Sequence, residues 1–222
     1  MADNSTSHAA RDYEADVRLT IPLHAELLRQ AIDLAFAAVP NPARWLDTGC
    51  GPGRLVEMAR ACDADTAFTL ADPSAEMLAL ARELNAELPD DRFVLAASEA
   101  LPELPAFDVI TAVQCHHYLD LAGRARALRR CRDLLRPGGV LVVFENVRAE
   151  SDAGHQIQRR RWAAWLRAQG RSEEATLAHL GREGTKYFPL RPSEHLALLA
   201  TAGFATVELV WRSYAQAGFL AF

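Results

Sequence analysis

The sequence predicts an α/β fold: a doubly wound, mostly parallel sheet of about seven strands, with an antiparallel last strand and a helical lid after strand five. Three observations predict it. Short apolar runs alternate with segments of helical periodicity between Arg44 and Glu145. The first run ends at Asp47, and Gly49, Gly51 and Gly53 follow at every second position before a helix-like segment from Leu55 to Arg60. The next run ends at Asp72, roughly 20 residues on, where a nucleotide-binding βαβ unit sets an acid against a ribose.

The elements follow in order. Met1 to Arg11 is polar and lacks an apolar stretch, so it reads as a frayed tail and not a signal peptide. Tyr13 to Leu23 is mixed. Ala25 to Val39 is apolar at helical spacing until Pro40 and Pro42 stop it. Arg44 to Asp47 begins the first strand, Leu55 to Cys62 is a crossover helix, and Ala67 to Ala71 is a buried strand. Ser74 caps a helix reaching about Leu88. Phe93 to Ala96 is the third strand. Phe107 to Val113, almost wholly apolar, is the fourth, as expected of a strand covered on both faces. Gly123 to Leu135 is a helix ended by Pro137-Gly138-Gly139, and Val140 to Glu145 is the fifth strand. Ser151 to His179 reads as helices broken at Gly170. Glu194 to Thr201 is a further helix, and Ala205 to Ser213 and Gly218 to Phe222 are closing strands.

Composition narrows the class. The chain has 222 residues, half of them hydrophobic, and no run approaches a membrane span. A net charge of −5 gives no global field for nucleic acid, so a nucleic-acid partner is not expected. Cys50, Cys62, Cys115 and Cys131 show no paired spacing and fit a reducing cytoplasm. Lys186 is the only lysine among many arginines, which suggests a GC-rich bacterial genome.

The glycine loop indicates its ligand. A dinucleotide fingerprint is G-x-G-x-x-G and serves a pyrophosphate. Here the spacing is G-x-G-x-G with Asp47 beside it, and an acid suits an ammonium group better than a phosphate. A ligand with a ribose and an amino-acid moiety is S-adenosylmethionine. The chain resembles the class I S-adenosylmethionine-dependent methyltransferases, which are Rossmann-like. The resemblance rests on the glycine loop, Asp72, Ser98-Glu99-Ala100-Leu101-Pro102, Phe107-Asp108-Val109-Ile110, and Leu134-Leu135-Arg136-Pro137-Gly138-Gly139. It implies that Asp47 and the loop face the methionine part, Asp72 holds the ribose hydroxyls, Met77 packs on adenine and Ser98 lies at its edge. Tyr13, Arg18, Gly49, Gly51, Pro73, Glu99 and Gln114 complete the expected cofactor set. Many relatives carry an aspartate at Ala97, where its carboxylate meets the adenine amino group; Ala97 cannot do this, and Glu99 or a backbone carbonyl would have to substitute.

The flanks, Val17-Arg18-Leu19-Thr20-Ile21-Pro22 and Trp211 to Phe219, are similar to the carboxy-S-adenosylmethionine synthases of the same superfamily, which serve tRNA wobble-uridine modification. A tyrosine expected after the proline is replaced by His24. The lid arginine that binds the cofactor's carboxylate in that family matches Arg182 by position.

Gln114-Cys115-His116-His117-Tyr118 follows the fourth strand, where open α/β sheets bind ligands. His116 or His117 is a candidate base, or the pair orients the loop. A metal site from His116, His117, Glu145 and His155 lacks a supporting spacing, so no metal is expected. Thiol chemistry at Cys50 and Cys115 is weaker still, since buried free cysteine is ordinary. On a helix, Ile157, Arg161 and Trp165 share one line. Arg161 then snorkels past the tryptophans or points inward at an anionic substrate, while Arg159 is solvated. Tyr118, Arg161 and Arg182 form the candidate acceptor set.

The expectation is a single domain over 1–222: an N-terminal cap (1–40), a cofactor-binding core (41–147), a helical lid insertion (148–192) and a closing helix and strands (193–222). It would be a cytoplasmic enzyme, monomer or homodimer, moving a methyl group from S-adenosylmethionine to an O, N or S nucleophile of a small molecule, an anionic one where Arg161 points inward. The alternatives are a carboxy-S-adenosylmethionine-synthase-like enzyme and a cofactor-binding protein without turnover.

Overall fold

The computed structural model describes residues 13–222. The tail from Met1 to Arg11 and the first part of the expected N-terminal cap lie outside the described residues. In chain order the elements are α1 (Tyr13–Thr20), α2 (His24–Ala38), β1 (Arg44–Thr48), α3 (Arg54–Arg60), β2 (Ala67–Asp72), α4 (Ala75–Leu84), β3 (Phe93–Leu95), β4 (Phe107–Val113), α5 (Leu121–Leu134), β5 (Leu135–Asn146), α6 (Asp152–Ala168), α7 (Glu173–Leu180), α8 (Pro192–Thr201), β6 (Val207–Ser213) and β7 (Gln216–Ala221).

One seven-stranded sheet runs β3-β2-β1-β4-β5-β7-β6. The pairs from β3 to β5 are parallel, while β7 is antiparallel to both β5 and β6. Strand order reverses between β1 and β4, and a crevice opens at such a switch point beyond the strands' carboxyl ends. The central strands are buried on both faces, which is why β4 reads as a continuous apolar run. Their side chains alternate between two cores. Trp45, Val109, Val142 and Phe144 pack with α2 and α3 on one face. Leu46, Ile110, Val143 and Phe219 pack with α5 and α8 on the other.

Side-chain caps fix the helix starts. Ser74 accepts from Met77 N, Asp120 from Gly123 N, Ser151 from Gly154 N and Ser172 from Ala175 N.

Four segments differ from the sequence expectation. Tyr13–Thr20 is a helix. Its last turn is fixed from outside: Trp162 Nε1 donates to Thr20 O at 2.8 Å and an Arg171 guanidinium NH2 to Thr20 Oγ1 at 2.7 Å. α4 stops at Leu84 because Asn85 turns inward, donating through Nδ2 to Gly53 O at 3.2 Å and Ala81 O at 3.1 Å. β5 begins at Leu135 and takes Pro137-Gly138-Gly139 into the sheet, with a register shift against Phe107–Val109. A Cβ on Gly139 would stand 3.0 Å from two β4 carbonyl oxygens, so glycine is needed for that approach. Finally, α6 turns a different face inward. His155, Gln158, Trp162, Ala163 and Leu166 are buried, while Ile157 and Arg161 are exposed.

Candidate functional site

β1 delivers the glycine loop to the switch point. Cys50 N donates to Ala71 O, Gly53 N closes the turn on Cys50 O, and Gly51 N donates to Asp72 Oδ2 at 2.9 Å. Gly49 has φ +64°, and a Cβ there would lie 2.4 Å from Cys115 Cβ. Only glycine combines that backbone with that approach. Asp72 sits at the end of β2, and its Oδ1 also accepts from Ser74 N at 2.9 Å. It is buried, as is Asp47, which accepts from Thr111 Oγ1 at 2.6 Å. Burial pushes the Asp47 carboxyl up; the Thr111 bond opposes this and the charge of Asp72 adds to it, leaving it at about 7. Ser98 Oγ and Thr48 Oγ1 share a hydrogen bond at 2.8 Å.

Three cavities meet here. The largest, about 360 Å³, lies between the glycine loop and α1–α2 and is bordered by Asp47, Gly49, Gly51, Arg18 and His24. The second, about 90 Å³, is bordered by Asp72, Pro73, Met77, Ser98, Glu99 and His116. The third, about 20 Å³, lies inside α6 and α7 and is bordered by His117, Tyr118, Asn146, Trp162, Arg182 and Tyr187. Tyr13 and Gln114 border all three. The expected cofactor residues therefore converge on the first two cavities, and Tyr118 and Arg182 meet in the third. Arg18 is largely exposed, with Glu14 at 3.5 Å.

The two histidines part company. His117 is bonded at both ring nitrogens, Nδ1 to Glu145 Oε2 at 2.6 Å and Nε2 to Asn146 Nδ2 at 3.2 Å. Asn146 Oδ1 in turn accepts from Gln216 Nε2. The His117 ring is thereby fixed in orientation between a carboxylate and an amide. His116 is buried, and neither ring nitrogen has a partner among the described residues. Burial, with Arg124 and His117 nearby, pulls it down to about 4 against the pull of Glu145, so it is neutral near pH 7. It faces the Asp72 cavity and not the one holding Arg182.

Glu145 is the residue the sequence reading used least well. It is fully buried and accepts from His116 N at 2.9 Å, His117 N at 2.8 Å and His117 Nδ1. Burial alone would raise its carboxyl, but the neighbouring His117, His116 and Arg124 carry it down to about 2. Arg124 braces the same loop, with Nε on His116 O at 3.1 Å and an NH2 on Phe188 O at 2.7 Å. The signal available was a lone carboxylate ending an apolar strand, which demands partners when buried. Asn85, which holds Gly53 O, had no comparable signal.

The arginines of α6 exchange their expected places. Arg161 is exposed and stacks over the Tyr214 ring at 4.3 Å, and it borders none of the three cavities. Arg159, expected in solvent, is half-buried and donates to Leu180 O at 3.0 Å and Glu183 Oε2 at 2.9 Å. His155 holds the other oxygen of Glu183 at 3.0 Å.

A methyltransferase-domain family model matches residues 46–141. A carboxy-S-adenosyl-L-methionine synthase of Wolinella succinogenes is 30% identical over 209 residues, covering 91% of this chain and 85% of that protein. A malonyl-[acyl-carrier protein] O-methyltransferase of Enterobacter lignolyticus is 37% identical over 131 residues, 58% of this chain; the aligned region is about half of that protein (49%). Among solved structures, a Thermotoga maritima S-adenosylmethionine-dependent methyltransferase, described as a possible histamine N-methyltransferase, superposes with a TM-score of 0.63 at 20% identity, covering 95% of this chain and 94% of that one. No helix among the described residues is long and apolar enough to cross a membrane. At 30% identity over 91% of its length with one of these relatives, and with a methyltransferase-domain match at its centre, the chain belongs to the class I S-adenosylmethionine-dependent methyltransferases, and S-adenosylmethionine is its cofactor.

Proposed function

We propose that the chain transfers a methyl group to an oxygen, nitrogen or sulfur nucleophile of a small anionic molecule held beneath α6 and α7. The residues fit the cofactor. Asp72 presents a carboxylate at the end of β2 for the ribose hydroxyls, and Asp47 one for the ammonium. Pro73, Met77, Ser98 and Glu99 line the adenine side, where Glu99 Oε2 is buried without a partner among the described residues. Tyr13 and Arg18 border the methionine end. Bound there, S-adenosylmethionine supplies an electrophilic methyl group.

Arg182 carries the reading of the acceptor. It lies in the third cavity, which meets the cofactor side at Tyr13, Gln114 and Tyr118. A guanidinium keeps its charge at any working pH, so it suits an anionic group. A volume of about 20 Å³ holds little more than one water, so α6 and α7 act as a lid that opens for the acceptor and excludes water when shut. Alignment and desolvation carry the chemistry, with His117 holding the loop and His116 too weakly basic at about 4 to be a strong base. Label from methyl-labelled cofactor should pass to a small carboxylate. Arg182→Gln should raise KM for it by about 10- to 100-fold, the scale of a charged hydrogen bond, while cofactor Kd holds. Equal KM values would remove Arg182 from the acceptor site.

A second reading, a carboxy-S-adenosylmethionine-synthase-like reaction, is favoured by the similarity that extends through both flanks. Mass spectrometry separates the two: a recovered cofactor heavier by a carboxyl group supports it, and a methylated acceptor supports the first.

Asp47 makes binding pH-dependent. Its carboxyl must be ionised to pair with an ammonium, and in the free protein burial holds it at about 7. Cofactor Kd should therefore rise about tenfold for each pH unit below 7 and level off above it. Calorimetry between pH 5.5 and 8 measures this. Asp47→Asn should bind weakly with no such slope, and a slope that survived the substitution would assign the titration elsewhere.

A further inference from the structure

Gln114 stands one residue beyond β4 with φ +56°, a left-handed backbone uncommon outside glycine. Its N–H donates to Phe144 O at 2.7 Å, which fixes the turn. The side chain is 7% exposed, and among the described residues neither Nε2 nor Oε1 has a hydrogen-bond partner. An amide buried in this way carries the desolvation penalty of its unmet donor and acceptor. Backbone strain and unmet polar groups together are the mark of a site that a ligand completes. In the third cavity the neighbouring polar groups are committed: His117 to Glu145 and Asn146, Asn146 to Gln216, and Trp162 Nε1 to Thr20 O. The Gln114 amide and the buried Tyr187 hydroxyl have no partner among the described residues, and Arg182, which hydrogen-bonds Tyr118, brings a positive charge to the same lining.

We propose that Gln114 sets acceptor specificity: its Oε1 accepts the hydrogen of an O–H or N–H nucleophile and its Nε2 donates to a neighbouring carboxylate oxygen of the same molecule, which Arg182 also holds. The acceptor class is a small hydroxy- or amino-carboxylate. This rests on the methyl-transfer reading above. In the transfer the nucleophile's lone pair forms the new bond to carbon, the carbon–sulfur pair stays on sulfur, and the displaced proton goes to the acceptor's own carboxylate, which releases it to solvent when the lid opens. The amide orients the lone pair and takes no proton. A thiol, a poor hydrogen-bond donor, gains little from Oε1.

The test uses the full chain saturated with S-adenosylhomocysteine, with lactate and propionate as probes followed by saturation-transfer NMR at millimolar concentration. They differ in the hydroxyl group. Lactate should bind at least about tenfold more tightly than propionate, the scale of a site built around one hydroxyl. Gln114, expected from sequence among the cofactor residues, is reassigned here to the acceptor through its side chain, so Gln114→Leu should abolish that preference and leave S-adenosylhomocysteine Kd within about twofold. If Gln114→Leu does not fold, Gln114→Met, which keeps the length and loses the amide, takes its place. Equal binding of the two probes to the parent chain, or a preference that survives the substitution, overturns the proposal. So does a large loss of S-adenosylhomocysteine affinity in the variant, which would assign the amide to the cofactor. Failure of the parent chain to bind S-adenosylhomocysteine would instead remove the methyl-transfer reading itself.

Discussion

Glu145→Ala is expected to destabilise the fold by about 3–5 kcal/mol, since three buried donors lose their acceptor at about 1–3 kcal/mol each. The carboxylate is fully buried and gathers the His116 N–H, the His117 N–H and the His117 ring. Removing it leaves two backbone donors and a ring nitrogen without partners in a dry interior, and a cavity where the side chain was. Urea unfolding measures the loss. Glu145→Gln keeps the volume and should cost less, since one amide oxygen still accepts. A double-mutant cycle with His117→Asn isolates the pair, and a coupling near zero would show that the loop holds itself. The pH dependence has a definite sign. The folded carboxyl is held at about 2, below its ordinary value of 4.5. Its stabilisation is therefore complete above pH 4.5 and is lost as pH falls from there toward 2.

Asp72→Ala is expected to weaken cofactor binding by about 3–4 kcal/mol, on the order of 10²–10³-fold in Kd. In the proposed cofactor pose two charge-assisted bonds to the ribose hydroxyls, each near the low end of about 1.5–3 kcal/mol, would be lost together. The loop loses its tie as well, because the same carboxylate accepts from Gly51 N and Ser74 N. Asp72→Asn retains an acceptor and should fall between the two. Calorimetry with S-adenosylhomocysteine reads the effect, and a change below about threefold in the alanine variant would move the ribose elsewhere.

The parts of the fold that the sequence disclosed are those with local causes. Phe107–Val113 was legible because burial on both faces leaves one unbroken apolar run. The glycine loop was legible because a tight turn that passes Cys115 closely demands glycine at fixed positions, and Asp72 because an acid closing a buried strand stands out. The Ser74 cap was legible from its hydroxyl. What failed depends on contacts far along the chain. α1 is held by Trp162 and Arg171, about 140–150 residues away. The inward face of α6 was masked because two of its buried residues are polar. Gln158 Nε2 satisfies Val147 O and Tyr214 O, and His155 meets Glu183. Adjacent helical positions differ by about 100°, so choosing the Ile157 line over the Gln158 line also exchanged Arg159 with Arg161. The His116 and His117 roles could not be divided from sequence, since adjacent residues differ here only in which way each ring turns.

The two bonds onto Thr20 have a thermodynamic consequence. α1 brings Tyr13 and Arg18 to the glycine-loop cavity, and its last turn is tied to Trp162 of α6 and to Arg171 in the connection to α7. An outward swing of α1 therefore stretches the same bonds as an outward swing of the helical pair, and the two share one free-energy cost. Whichever ligand binds first meets that ordering cost and spares the second. Linkage then requires equal factors in both directions: the nucleoside tightens the acceptor as much as the acceptor tightens the nucleoside. By the same factor, departure of the methylated acceptor loosens the spent nucleoside, so the order of release is built into the bonds on Thr20.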